Sequence, residues 1–262
     1  MSLDGRVALV TGASRGVGAY VARSLAKAGA KVAVAARSEE ATDPRLPGTI
    51  HSVVEQIRVD GGQALAVRMD VRDPESIVAG IQKTVDGLGG LDIVVNNAAV
   101  LVPGTVETVL DRHLDLMWQI DLRGPLLVIK HSLPHMRKAG RGHIINVSSR
   151  AGVFPGPGPY EEGRTGGNDG PFYGMVKAGL ERFSQALAMD LQASNISVNV
   201  LSPQGRIKTP GNIFARNDRE NPDLEFEDAW EMGKGSVYIC EQGVEFTGNI
   251  LFDQDFCREK GL

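Results

Sequence analysis

Short apolar runs alternate along this chain with longer segments in which apolar residues recur every three to four positions. The short runs predict strands buried on both faces, and the longer segments predict helices with one apolar stripe. The predicted strands are residues 6–10, 31–36, 64–70, 91–96, 143–148, 197–201 and 249–252. The predicted helices are a segment that follows a glycine-rich turn and ends near residue 28, and residues 51–59, 74–88, 110–138 and 172–193.

Regular alternation of strands and helices is typical of a parallel sheet covered by helices on both faces. Because crossovers between parallel strands are right-handed, the pattern predicts an α/β fold with a doubly wound sheet of the Rossmann type. No internal repeat or linker divides the sequence, so we expect one domain over residues 1–262. A polar loop at 38–48 and a Gly/Pro-rich stretch at 155–171 interrupt the alternation. Since long loops in compact domains are often functional, we expect a substrate loop at about 153–172 and a lid at about 210–231.

Composition limits the classes of function. The chain has 262 residues and a formal net charge of −4, and its longest basic run is Arg137-Lys138, so we expect no nucleic-acid partner. The two cysteines, Cys240 and Cys257, suit neither a disulfide framework nor a metal pair, and no metal is expected. The sequence lacks the order of a signal peptide and has no long apolar run. We therefore expect a cytoplasmic protein without a membrane partner.

A glycine-rich turn, Thr11-Gly-Ala-Ser-Arg-Gly-Val-Gly18, connects the first predicted strand to the first predicted helix. Gly12, Gly16 and Gly18 lack the Cβ atoms that would block a pyrophosphate from the backbone, and a helix N-terminus offers free N–H groups with a partial positive charge. Such a turn can also be purely structural. Its position as the first βα turn of a doubly wound sheet favours dinucleotide binding.

The end of the second strand bears on which dinucleotide is bound. An acid there would bind the ribose 2′-OH of NAD, but the position holds Ala36 followed by Arg37, and Arg15 lies inside the glycine turn. Because Arg makes paired, charge-assisted hydrogen bonds to phosphate, the two arginines favour NADP over NAD, although both could be solvated surface residues. Asp70, which ends the third predicted strand, could accept a hydrogen bond from the adenine amino group or cap the next turn.

Tyr173 and Lys177 are one helical turn apart, so their side chains leave the same face of a helix. A free tyrosine has a pKa of about 10, and a neighbouring ammonium group lowers it toward the range useful for acid–base catalysis. The same spacing occurs in ordinary helices, but here it accompanies the glycine turn. Tyr160, with Arg164 four residues later, is the competing pair, but Tyr160 lies in the Gly/Pro-rich stretch and starts no helix.

Two serines, Ser148 and Ser149, end the fifth predicted strand. They lie at the carboxyl edge of the sheet, where such folds bind ligands. One hydroxyl there can polarise a substrate carbonyl by hydrogen bonding, and the other then has a structural role.

Together these motifs resemble the short-chain dehydrogenase/reductase family over essentially the whole chain. The motifs that occur in the family's order are the glycine turn, Asp70-Val71, Asn96-Asn97-Ala98-Ala99, Asn146-Val147-Ser148-Ser149, the Tyr173/Lys177 pair and Phe246-Thr247-Gly248. The resemblance implies a sheet of about seven strands, an NAD(P)-dependent redox reaction at a small-molecule alcohol or carbonyl, and a homotetramer or homodimer. It implies that Tyr173 is the acid/base, that Lys177 binds the nicotinamide ribose and lowers the tyrosine pKa, and that Ser149 orients the carbonyl. The expected cofactor-binding residues are Gly12, Ser14, Arg15, Gly16, Val17, Gly18, Arg37, Asp70, Val71, Asn96, Ala98, Tyr173, Lys177, Ile207 and Thr209.

The sequence also departs from the family's usual pattern. Asp121 stands where the family usually has an Asn that supports a water relay to the Lys, and its carboxylate could pair with Lys177. The interval between Ser149 and Tyr173 is longer than usual. Residues 43–50 and 246–253 look more like a branch that includes hydroxysteroid dehydrogenase-like proteins and citronellol dehydrogenases, and that branch often carries its serine at the position of Ser148.

Two hypotheses for the function follow from the sequence. The first is an active NADP(H)-dependent alcohol dehydrogenase or ketone/aldehyde reductase, supported by Ser149, Tyr173 and Lys177. The second is a cofactor-binding protein with little or no turnover, motivated by Asp121 and the longer loop. We expect a moderately apolar alcohol or ketone as the substrate.

Overall fold

The computed structural model describes residues 1–41, 43–160, 170–216 and 228–262. Its central element is one sheet of seven parallel strands in the order β3-β2-β1-β4-β5-β6-β7. The strands are β1 Val7–Thr11, β2 Lys31–Ala36, β3 Gln63–Arg68, β4 Ile93–Asn96, β5 Gly142–Val147, β6 Ile196–Ser202 and β7 Ile250–Phe252. The strand order reverses between β1 and β4, which confirms the predicted doubly wound sheet. Sheets of this kind bind ligands where the order reverses, at the carboxyl ends of the strands.

Helices cover both faces of the sheet. They are α1 Gly16–Lys27, α2 Ile50–Val59, α3 Pro74–Leu88, α4 Asp111–Met117, α5 Gly124–Ala139, α6 Gly170–Leu191, α7 Pro210–Arg216, α8 Trp230–Glu241 and α9 Asp253–Lys260. On one face α1, α2 and α8 contribute buried side chains such as Leu25 and Met232 to a continuous apolar core. On the other face α3, α5 and α6 do the same with side chains such as Ile81 and Val128.

The single helix predicted at 110–138 is interrupted in the structure. Residues Trp118–Arg123 form a π-helical turn between α4 and α5. Pro125 has no N–H to donate to the carbonyl of Asp121 four residues earlier, and the Gly124 N–H bonds instead to the carbonyl five residues back. The apolar periodicity continues through this turn, which is why the pattern alone predicted one uninterrupted helix.

The apolar pattern does not predict α7, α8 or α9. α8 contains Gly233 and Gly235, which lower helix propensity. Gly233 nevertheless lies against α1 at a place where a Cβ would collide with Ser24, so close packing of the two helices requires a glycine there. Within the described ranges, no helix is long and apolar enough to span a membrane.

Candidate active site

The turn after β1 is packed against the turn after β4. Gly12 has a φ of +66°, and a Cβ on it would lie 2.7 Å from the Cα of Ala98. The Asn97 side chain donates to the carbonyls of Thr11 at 2.9 Å and Gly12 at 3.2 Å. A Cβ on Gly18 would collide with that same Asn97 side chain. Two of the predicted glycines therefore let the two turns meet at the place where the strand order reverses.

Gly16 begins α1 and faces the segment after β6. Its φ is +57°, and a Cβ on it would lie 3.2 Å from the side chain of Thr209. Arg15 is the N-cap residue and makes no side-chain cap, so the first N–H groups of α1 are not capped by it. Ser14 is buried in the turn and Val17 packs against the core. The N-terminus of α1 therefore has N–H groups that Arg15 does not cap, and Gly16 leaves space beside them because it lacks a Cβ. This arrangement suits the pyrophosphate of a dinucleotide.

The two arginines near the end of β2 have different surroundings. Arg15 donates to the carbonyls of Pro47 and Gly48, both at 3.1 Å, so it holds the loop after β2 against the glycine turn. Burial and the nearby Arg37 guanidinium lower the pKa of Arg15. Arg37 is exposed and lines a cavity of about 500 Å³ together with Arg68. Arg37 is therefore the better placed of the two to meet a phosphate.

Asp70 caps the turn that follows β3. Its carboxylate accepts from the backbone N–H of Arg72 at 3.0 Å and forms a paired contact with the guanidinium of that residue, at 2.6 Å at its shortest. The Arg72 side chain holds the pKa of Asp70 below its ordinary value. Val71 is buried beside it. The structure thus contains the capping contact, and an adenine contact stays a prediction.

The segment after β2 also reaches α7. Asp43 holds the Arg45 guanidinium in a paired contact, 2.7 Å at its shortest. That guanidinium lies 4.5 Å from the ring centroid of Phe214 in α7. Residues 43–50 therefore connect the glycine turn to the segment after β6, which the sequence motif gave no means to predict.

Tyr173 and Lys177 lie on one face of α6, and both are buried, at 9% and 2% exposure. The Lys177 ammonium lies 5.5 Å from the centroid of the Tyr173 ring and donates to the carbonyl of Val147 at 3.1 Å. Burial by itself lowers the pKa of Lys177, but Tyr173, Asp121 and Glu181 outweigh burial and raise the pKa above its ordinary value. Lys177 is therefore charged at neutral pH.

Asp121 lies in the π-helical turn and forms an ion pair with Lys177, at 3.4 Å between Oδ1 and Nζ. Both of its carboxylate oxygens accept from the backbone N–H of Val100, at 3.2 and 3.3 Å. Burial raises the pKa of Asp121 to about 6, against the opposing effects of Lys177 and Val100. The sequence predicted that the Asp121 carboxylate could pair with Lys177, and the structure contains this contact. The pKa of about 6 means that the carboxylate changes its charge within about one pH unit of neutrality.

The two serines after β5 have different partners. Ser148 is buried and donates to Glu181 at 2.6 Å. Ser149 accepts from the backbone N–H of Ala151 at 3.2 Å and caps the short 3₁₀ turn Arg150–Gly152. Among the described residues the Ser149 hydroxyl has no acceptor, so its proton can be donated to a ligand.

Buried amides connect the carboxyl ends of β4 and β5 to α6. Asn96 donates to Asn146 at 2.9 Å, and Asn146 donates to Ser184 at 2.8 Å. After β6, Ile207 and Thr209 are buried, and the Thr209 hydroxyl accepts from a backbone N–H of α7 at 3.1 Å. The residues expected to line the cofactor therefore come from the turns after several different strands.

Glu181 is the site residue that the sequence reasoning missed. It follows Lys177 by one helical turn and is 4% exposed, so the spacing 173–177–181 was a signal that could have found it. The competing Tyr160 is exposed and donates to the carbonyl of Gly156 at 2.6 Å, and Arg164 lies outside the described residues. The described part of the chain contains no group of three or more His, Cys, Asp or Glu residues that could hold a metal ion.

Residues 6–220 match the family model described as short chain dehydrogenase. Among the most similar curated relatives are the hydroxysteroid dehydrogenase-like protein 2 of Xenopus laevis and that of Homo sapiens. Each is 32% identical to this chain, and each match covers 99% of this chain and 59% of the relative. The chain thus spans less than two thirds of the length of these relatives.

Solved structures give the same family. A short chain dehydrogenase from Mycobacterium thermoresistibile has a TM-score of 0.83 and 31% identity, with 99% of this chain and 89% of that chain covered. A metagenomic short-chain oxidoreductase, solved in complex with NADP, has a TM-score of 0.76 and 28% identity, with 96% of this chain and 98% of that chain covered. These similarities confirm the resemblance seen in the motifs, including the hydroxysteroid dehydrogenase-like branch. The chain therefore belongs to the short-chain dehydrogenase family.

Proposed function

We propose that this chain is an NADP(H)-dependent oxidoreductase that transfers a hydride between the nicotinamide and a secondary alcohol/ketone or alcohol/aldehyde pair. The observation that carries the proposal is the buried Lys177 ammonium 5.5 Å from the Tyr173 ring, at the carboxyl edge of the sheet. A buried cation beside a phenol favours the phenolate and lets the hydroxyl exchange its proton near neutral pH. Family membership and the NADP-bound relative support the proposal.

Each reacting side chain has a distinct role. In the reducing direction Tyr173 gives its proton to the carbonyl oxygen, and in the oxidising direction it takes the proton back. Ser149 donates a hydrogen bond to the same oxygen. Lys177 stabilises the phenolate and donates to the cofactor ribose. Asp121 partly compensates the positive charge of Lys177. The nicotinamide, when bound, supplies or accepts the hydride.

The preference for NADP rests on Arg37. It is exposed and directly follows β2, next to Ala36, which occupies the place where an NAD-binding relative would carry an acid. The glycine turn would hold the pyrophosphate. The remaining cofactor contacts proposed from the sequence are those at Asp70, Val71, Asn96, Ala98, Ile207 and Thr209.

The proposed substrate is a moderately apolar alcohol or carbonyl compound. Residues 153–172 and 210–231 of the one proposed domain would surround it, as the substrate loop and the lid. In the described parts of these segments Val153 and Phe214 are large, exposed apolar side chains. Such side chains suit an apolar ligand.

A binding titration and an activity screen test the proposal together. NADPH and NADH binding would be followed by cofactor fluorescence, and NADPH oxidation would be measured over a panel of ketones and aldehydes. We expect NADPH to bind more tightly than NADH and at least one carbonyl to be reduced. If neither cofactor binds, the proposal is wrong.

The ion pair between Asp121 and Lys177 favours a second candidate function. At 3.4 Å the carboxylate competes with a cofactor ribose for the ammonium group. If the Asp121 carboxylate keeps the Lys177 ammonium when the cofactor is bound, the protein would bind the cofactor with little or no turnover. NADPH binding without turnover on any member of the panel would support this candidate.

We also propose that the chain forms a homotetramer or homodimer in the cytoplasm. Trp118, Met175 and Met189 are large apolar side chains that are half or more exposed on neighbouring helices, and exposed apolar groups of this kind suit an interface. Cys240 and Cys257 are free and buried, which fits a reducing compartment. Sedimentation velocity tests the assembly, and a monomer at micromolar concentration would contradict it.

A further inference from the structure

Helix α6 holds the carboxyl end of β5 through two side chains one turn apart. Lys177 donates to the carbonyl of Val147 at 3.1 Å, and Glu181 accepts from the hydroxyl of Ser148 at 2.6 Å. Ser148 and Glu181 are 3% and 4% exposed. A buried carboxylate that lost its donor would be costly, so this short hydrogen bond fixes the position of Ser148 against the helix.

Two glycines let the turn after β5 pack directly on α6. A Cβ on Gly152 would lie 2.6 Å from a carboxylate oxygen of Glu181, and a Cβ on Gly174 would lie 2.7 Å from the carbonyl of Ala151. The turn Arg150–Gly152 therefore rests on the helix between Gly174 and Glu181. The carboxylate of Glu181 is part of the surface on which this turn is seated.

We infer that Glu181 is a positioning residue for the proposed reaction: it acts through Ser148 to hold the Ser149 hydroxyl beside Tyr173. The inference rests on the proposed function. Ser149 follows Ser148 directly and caps the turn through the N–H of Ala151, so any movement of Ser148 also moves Ser149. A misplaced hydrogen-bond donor weakens the transition state more than it weakens cofactor binding.

The charge of Glu181 also acts on Lys177. Among the described residues, the titratable groups that act on this ammonium are Asp121 from the π-helical turn and Tyr173 and Glu181 from α6. Burial raises the pKa of Glu181, while the Ser148 hydroxyl and Lys177 oppose the effect of burial. The ammonium is thus in contact with the Asp121 carboxylate and is also influenced by the charge of Glu181 at longer range. Removing the charge of Glu181 leaves Lys177 less compensated and favours the phenolate form of Tyr173.

Three variants separate the hydrogen bond from the charge. Glu181→Gln keeps an acceptor for Ser148 and removes the charge, Glu181→Ala removes both, and Ser148→Ala removes the donor and keeps the charge. Glu55→Gln, at an exposed position of α2, is the matched control for loss of a carboxylate. For each protein the measurements are the NADPH Kd, kcat and KM for one carbonyl substrate, and the pH–rate profile.

Glu181→Ala and Ser148→Ala should each lower kcat at least about tenfold, with the NADPH Kd changed less than about twofold. Glu181→Gln should recover most of kcat but shift the pH–rate profile to lower pH, and Glu55→Gln should match the wild type. Ser148→Ala decides the matter if Glu181→Ala does not fold. Wild-type kcat in the available alanine variants, an unshifted profile in Glu181→Gln, or a loss confined to NADPH binding would overturn the inference. A wild-type protein that binds NADPH but reduces nothing would instead contradict the proposed function, and the inference would fall with it.

Discussion

Buried polar and charged side chains lie at both ends of β5. The residues proposed to react lie only at the carboxyl end. At the amino end Asp92 accepts from the Arg141 side chain at 2.7 Å and from the backbone N–H of Val7 at 2.8 Å. The Nδ1 atom of His143 lies 2.9 Å from the hydroxyl oxygen of Ser197, within hydrogen-bond distance. These groups bond mainly to one another, and they connect β1, β4, β5 and β6.

At the carboxyl end the charges surround groups that can still react. Lys177 forms an ion pair with Asp121 and lies next to Tyr173, and the Ser149 hydroxyl retains a proton that the described residues do not accept. Both ends contain perturbed titratable groups, so buried charge alone does not indicate function. At the carboxyl end it supports the proposed function because the charge lies at the edge where sheets of this kind bind ligands, near Tyr173, the Ser149 hydroxyl and the glycine turn.

Tyr173→Phe should have the largest effect. The ring stays and the acidic proton is lost, so kcat should fall at least about a hundredfold, the usual scale of acid–base catalysis, with NADPH binding largely kept. Steady-state NADPH oxidation measures the change. Tyr160→Phe is the matched comparison and should keep far more turnover than Tyr173→Phe, because the Tyr160 hydroxyl donates to the carbonyl of Gly156 within its own loop. An inactive Tyr160→Phe beside an active Tyr173→Phe would move the active site to Tyr160.

His143→Asn sharpens the comparison from the opposite end of the strand. Burial, with Arg6 adding to it, lowers the pKa of His143 to about 4. Because the unfolded chain binds this proton at a pKa of about 6.5, the contribution of His143 to stability is complete above that pH and falls by up to about 3 kcal/mol as the pH drops toward 4. The raised pKa of Asp121 acts in the opposite direction over this range, so the contribution of His143 is read from the difference between the variant and the wild type. In denaturant unfolding measured from pH 7.5 to 4, His143→Asn should therefore gain stability relative to the wild type, by up to about that amount. A constant difference in unfolding free energy between His143→Asn and the wild type over this pH range would show that His143 does not contribute to the pH dependence.

Arg37→Ala should weaken NADPH far more than NADH, because only NADPH carries the 2′-phosphate. The loss of a charge-assisted contact costs about 1.5–3 kcal/mol, roughly 10- to 150-fold in Kd. Fluorescence titration with both cofactors measures it. Arg23→Ala, which removes the same charge at an exposed position of α1, is the control. Equal weakening of both cofactors by Arg37→Ala, or a wild-type preference for NADH, would contradict the NADP assignment.

Asp121→Asn should have the smallest effect, a change in the shape of the pH–rate profile. Removing the anion leaves Lys177 less compensated, so the profile of kcat/KM should shift to lower pH and turnover near neutral pH should rise. An inflection near pH 6 from the carboxylate should disappear with it. Asp115→Asn, exposed on α4, is the control. Superimposable profiles would mean that only the backbone of residue 121 matters, and would remove the main argument for a protein without turnover.

The sequence predicted the parts of this molecule that depend on local pattern. The strand–helix alternation, the glycine turn and the spacing of Tyr173 and Lys177 are each set within a few residues, and the structure contains all three. The π-helical turn was not predictable from periodicity, because the absence of an N–H on Pro125 acts within an otherwise unbroken apolar stripe. The contact between Ser148 and Glu181 was not predictable either, because the two residues are distant in sequence. It also requires a glycine at position 152, where a Cβ would collide with the Glu181 carboxylate.

The most direct test of the comparison measures Tyr173→Phe and His143→Asn side by side in both assays, NADPH-dependent carbonyl reduction and the pH dependence of unfolding. We predict that Tyr173→Phe loses turnover at least about a hundredfold and keeps the wild-type pH dependence of stability. We predict that His143→Asn keeps the wild-type kcat/KM at neutral pH and gains stability relative to the wild type as the pH falls from 7.5 to 4. A loss of turnover in His143→Asn as large as that in Tyr173→Phe, or wild-type turnover in Tyr173→Phe, would contradict the division of the sheet into a reactive carboxyl edge and a structural amino edge.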